Sequence, residues 1–135
     1  MTTNEKQIVK EKFDFLINNG FSRLEGFTSN VFFALDYAKE HIVISPSYDY
    51  RDQDFQVAIR DVNNKSITEL STNLFDTTIG IIKDREEFRQ EINNIYKNVK
   101  KHTHGMPKKY FETIVTLHCE FVRKYINEII LWTYK

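Results

Sequence analysis

The chain has one cysteine (Cys119), one tryptophan, two prolines and four glycines in 135 residues. A lone cysteine excludes an internal disulfide and suits a reducing compartment. Scarce Pro and Gly argue against a linker-rich or disordered protein, and 41% hydrophobic residues argue for a packed core. No run approaches the roughly 18 apolar residues of a membrane span. The N-terminal stretch carries charges through its apolar positions and shows neither an h-region nor a small-residue cleavage site, so no signal peptide is read. One soluble, cytoplasmic domain is expected. Glycine-rich phosphate loops, nucleophile elbows and paired-cysteine metal motifs are also missing, so no enzyme activity and no cofactor is expected. Net charge is absent too, with 19 basic against 19 acidic residues. The balance hides a gradient: residues 1–62 hold 7 basic and 10 acidic side chains, residues 63–135 hold 12 and 9. A dipole this modest can steer a partner but does not diagnose nucleic-acid binding.

What is present is an aromatic-rich chain with 11 Phe and 7 Tyr. Its organising stretch is residues 41–61. Ile42, Ile44, Tyr48 and Tyr50 share one parity, and Phe55, Val57 and Ile59 share another, as in two strands with one buried face each. Arg51, Asp52, Gln53 and Asp54 form a polar connection of common hairpin length. Pro46 has no amide to donate and is expected at an edge or a bulge.

Elsewhere, residues 5–18 read as an amphipathic helix with Ile8, Val9, Lys12, Phe13, Leu16 and Ile17 on its stripe. Asn4 is the expected N-cap and Gln7 completes a capping box. Asn19-Gly20 stops the helix, since Gly accepts left-handed geometry. Residues 23–27 suggest a short strand. Val31, Phe33, Leu35 and Tyr37 alternate as a second, with Phe32 and Ala34 implying some cover on the other face. Lys39-Glu40 marks a turn, residues 62–66 another, and residues 66–70 a further short strand. Residues 71–83 fit neither period and are expected to form a loop or a short helix. Residues 84–101 predict a helix capped by Asp84 and Glu87, with Phe88, Ile92, Ile95, Tyr96 and Val99 as its stripe. Gly105 and Pro107 break the pattern, and Pro107 suits the first turn of the next helix. That helix is expected to run over residues 108–133, burying Phe111, Ile114, Val115, His118, Val122, Tyr125, Ile126, Ile129 and Ile130, with Trp132 and Tyr134 closing it. Together these predict an α+β fold: an antiparallel β-meander of about four to five strands, flanked by an N-terminal helix and two long C-terminal helices.

Chemistry-bearing clusters are few. Asp49 and Asp52 could form an acid–base pair, but a hairpin tip favours Asp for its turn geometry. Tyr and Arg beside them suit a protein contact. His102 and His104 supply a fragment of a metal site, with His41 and His118 apart from them, and zinc takes three or four ligands. His118 is expected as a satisfied core residue and Cys119 as a small hydrophobe. Lys97, Lys100, Lys101, His102, His104, Lys108 and Lys109 form a basic corner without the interleaved aromatics of a nucleic-acid motif.

Phe13-x-Phe15-Leu16, Gly20-Phe21, the alternating strand after them, and Tyr48-Asp49-Tyr50-Arg51-Asp52 leading into Phe55-x-Val57-x-Ile59 carry a resemblance. Over about residues 13–60 the chain resembles immunity proteins of bacterial polymorphic toxin systems, including contact-dependent growth inhibition systems. The resemblance implies an antitoxin-like protein that binds a cognate toxin domain and blocks it. Asp49, Asp52 and Asp54 would complement a basic toxin cleft, with Tyr48, Tyr50 and Arg51 as further contacts. Two alternatives stay open: a homodimer or other homo-oligomeric module pairing through a free sheet edge, and a nucleic-acid-associated domain using the basic corner.

Overall fold

The computed structural model describes residues 2–40, 42–61, 66–69, 82–99 and 107–132. Its elements are α1 (Thr2–Phe13), α2 (Phe15–Asn18), β1 (Ser22–Thr28), β2 (Phe32–Lys39), β3 (Ile42–Asp49), β4 (Asp54–Asp61), β5 (Ser66–Glu69), α3 (Ile82–Val99), α4 (Lys108–Lys124) and α5 (Ile126–Trp132). The strands form one antiparallel meander in the order β1-β2-β3-β4-β5. The expectations on residues 62–65, 70–81, 100–106 and 133–135, and on His41, lie outside the described residues.

Alternation decides the inner face of the sheet. Phe33, Leu35 and Tyr37 of β2, Ile42, Ile44 and Tyr48 of β3, and Phe55, Val57 and Ile59 of β4 are all buried. They meet Val9, Phe13 and Leu16 from the N-terminal helices and Phe111, Ile114, Val115 and Val122 from α4. α1 packs on α4, α4 on β4, and α3 packs against α4. The helical layer therefore covers one face of the meander. No helix among the described residues is long and apolar enough to cross a membrane.

Several boundaries differ from expectation, each for a local reason. The first helix begins at Thr2, so Asn4 lies inside it instead of capping it. It breaks at Asp14, whose Oδ1 accepts from Arg23 Nη1 at 2.6 Å and from Tyr37 Oη at 2.8 Å, pinning the junction to β1 and β2. The stop at Gly20 is as expected. With φ +95, its amide donates to Ile17 O while Phe21 N donates to Leu16 O, and Phe21 and Leu16 join the core.

Pro46 sits in β3, the central strand, opposite Val57, and not at an edge. The β2–β3 pairing lapses between Ala34↔Ser47 and Tyr37↔Ile44 and resumes in the same register, which removes the need for a proline amide. Ser45 bridges the lapse by donating its hydroxyl to Asp36 Oδ1. α3 starts at Ile82, placing Asp84 inside the helix, and ends at Val99. The last helix is broken at Tyr125, whose amide is shared between Phe121 O and Val122 O at 3.2 Å each. Neither Pro nor Gly marks that break.

His118 is 2% exposed on the core face of α4. Its Nδ1 lies 2.9 Å from Ile114 O, and its ring meets the Phe55 ring edge-on at 4.9 Å. Burial pushes its pKa down from 6.5 to about 4. Below pH 6.5 the unfolded chain takes up a proton that the folded chain refuses. Stability should hold above pH 6.5 and fall by about 3 kcal/mol on the way down to pH 4, then level off for this group. Urea midpoints against pH for the native chain and His118→Leu check this, because the variant should lack that part of the slope.

Candidate functional site

The β3–β4 connection is Tyr50 to Gln53, one residue earlier than the expected span, since β4 already begins at Asp54. Asp49 builds it. Its Oδ1 accepts the backbone amides of Arg51 at 2.9 Å and Asp52 at 3.1 Å, so its carboxylate organises the turn. Gln53 takes the left-handed position, φ 54, and is 5% exposed, a burial that nothing in the sequence signals. Asp54 stands opposite Asp49 and its Oδ2 accepts from Gln56 Nε2 at 2.7 Å. Arg51 and Asp52 are exposed. Three carboxylates are thereby gathered at one tip.

The two tyrosines differ. Tyr48 is buried, its ring edge-on to Phe111 at 4.7 Å, so it supports the tip from beneath and offers no surface of its own. Tyr50 is half-buried and stacks edge-on against Tyr48 at 5.0 Å. Burial raises both phenols, and the nearby Glu5 carboxylate adds to the effect; Tyr50 reaches about 12. Glu5 was not foreseen here. Its Oε1 is shut off from solvent and has no hydrogen-bond partner among the described residues.

Tyr96 of α3 closes the other side. Its hydroxyl accepts the Phe55 amide at 3.0 Å, satisfying a donor at the start of β4. Burial pushes the Tyr96 phenol up to about 12. Tyr96→Phe should cost about 1–2 kcal/mol by orphaning that amide, read as a lower urea midpoint with an unchanged slope.

The tip is tied to the β1–β2 turn as well. Tyr50 N donates to Val31 O at 2.8 Å, and Ser29 N donates to Phe32 O at 2.8 Å. Both turns therefore lie at the same end of the sheet. Elsewhere, Lys97, Lys108 and Lys109 are exposed at the ends of α3 and α4, while Lys100, Lys101, His102 and His104 fall outside the described residues. His118 and Cys119 are both buried, and Cys119 donates its thiol to Lys12 O at 2.9 Å, joining α4 to α1. Burial raises the Cys119 thiol. Among the described residues no group of three or more His, Cys, Asp or Glu side chains could hold a metal ion. A shallow groove of about 260 Å³ lies between α3 and α4, lined by Glu87, Glu91, Glu120, Phe121 and Tyr125 among others.

No family model matches the chain, and no curated protein or solved structure is significantly similar to it.

Proposed function

We propose that the chain is an immunity-type binding protein of the cytoplasm, neutralising a cognate toxin domain by direct protein–protein contact and without a catalytic step or cofactor. The observation that carries this reading is the β3–β4 tip, where Asp49 and Asp54 face each other across paired strands beside exposed Asp52. Carboxylates gathered at one tip set up a negative field that a basic partner surface would complement. The resemblance over about residues 13–60 supplies the class of partner, and the acidic N-terminal half supplies the sign of the field.

The test pairs the chain with any toxin domain encoded immediately upstream of its gene. Asp52→Lys and Asp54→Lys reverse charge, while Asp49→Asn removes charge but keeps an oxygen for the two amides that build the turn. The triple variant should bind that domain about 100-fold more weakly and fail to protect cells expressing it. Unchanged affinity in a folded triple variant would remove the reading.

A second reading, a nucleic-acid-associated domain, draws on Lys97, Lys108 and Lys109. A salt-sensitive gel shift abolished by substituting these lysines would favour it.

A further inference from the structure

Phe27 is 58% exposed, the most exposed large apolar side chain among the described residues, and the backbone goes to some length to expose it. Leu24 and Phe27 are three positions apart, so a regular strand would send them to opposite faces. In β1, Leu24 pairs with Asp36 and Phe27 with Ala34, leaving Glu25 and Gly26 to share the place opposite Leu35. This bulge flips the parity and puts Phe27 on the outer face with Leu24, away from the helices. Only glycine permits it. A Cβ on residue 26 would lie 1.8 Å from Ala34 O and 2.7 Å from Ala34 C, both backbone atoms.

The neighbours of Phe27 form a surface. Its ring lies 6.0 Å from that of half-buried Phe32. Phe32 pairs with Asp49, and Asp49 with Asp54, so one row across the outer face runs from an aromatic ring into two carboxylates. The outer face is not open everywhere, since Val43 and Ser45 at its centre are each 8% exposed. Among the described residues, the large apolar side chains exposed on this face are Leu24 and Phe27 of β1.

We infer that Phe27 and Phe32, together with Asp49 and Asp54, form the docking surface for a basic partner protein, whose apolar pocket takes the rings and whose Lys or Arg rim meets the carboxylates. The inference deepens the proposed function and rests on it for the nature of the partner. Aromatic anchors with an adjoining charged rim are what an interface core and its rim require. Charge complementarity selects the partner: the carboxylates disfavour an acidic or nucleic-acid surface and attract a cationic one.

Photo-crosslinking tests this. The chain, carrying benzoylphenylalanine at position 27 in one sample and at exposed Ile17 of α2 in another, is irradiated in the cells that produce it. A protein adduct at position 27 but not at 17 is expected. That protein, purified, should bind Phe27→Ala and the paired Asp49→Asn, Asp54→Asn variant at least tenfold more weakly than the native chain. Circular dichroism and melting confirm that each variant folds. A nucleic-acid adduct, a second copy of this chain as the adduct, equal labelling at 17, or no adduct overturns the surface. If the captured protein meets both mutational criteria but is not the neighbour-encoded domain, the surface stands and the toxin reading falls. If the neighbour-encoded domain binds Phe27→Ala and the native chain alike, the toxin reading stands and the surface falls.

Discussion

Phe111→Ala lowers the free energy of unfolding by about 3–5 kcal/mol. The ring is 1% exposed where α4 meets the inner face of the sheet, edge-on to Tyr48 at 4.7 Å and to Phe55 at 6.1 Å. Phe55 in turn touches Phe13 of α1 at 6.3 Å. One truncation thus loosens helix, hairpin and N-terminal helix together, and the surrounding rings cannot close the cavity without leaving their own contacts. Against a typical domain stability of about 5–15 kcal/mol, the variant should be marginal at 37 °C. Guanidinium unfolding at 25 °C checks this, and a loss below about 1 kcal/mol would mean that α4 does not seat on the sheet as described.

Gly26→Ala should cost about 3 kcal/mol or more, although it adds a single methyl group at an exposed position. The clash is with the backbone of β2, so no side-chain rotation relieves it. Gly20→Ala is the informative contrast. There the new Cβ would meet the flexible end of Lys39 at 3.1 Å, and the cost is that of holding φ +95 with a side chain, about 1–2 kcal/mol. A larger loss at Gly26 than at Gly20 in parallel urea titrations is the expected order. The reverse order would indicate that β1 pairs with β2 without the bulge.

The inner face was legible because alternation is a period-two signal, and Phe33, Leu35, Tyr37, Phe55, Val57 and Ile59 follow it, whereas Val31, read into the same series, precedes β2 and is 38% exposed. The helical stripe of α4 was legible for the same reason at a different period, although Tyr125 breaks the helix with no glycine or proline to announce it. The bulge was not legible. A glycine inside a strand hints at one, but the hint does not say which neighbours change face. Pro46 misled because its missing amide is accommodated by a lapse in the neighbouring strand, a tertiary fact. At the tip, the carboxylates were visible as turn residues and Tyr48 as a member of the buried parity, whereas the burial of Gln53 and the exposure of Phe27 depend on which strands lie alongside.

Everything turns on which way position 27 points. Thiols placed singly at positions 27 and 33 can be compared by native-state alkylation, with buried Cys119 as a slow internal reference. The thiol at 27 should react within about tenfold of its rate in the unfolded chain, and the thiol at 33 on the order of a thousandfold more slowly, since it must await opening of the core. Equal protection at the two positions, or faster reaction at 33, would contradict the bulge and the docking surface it creates.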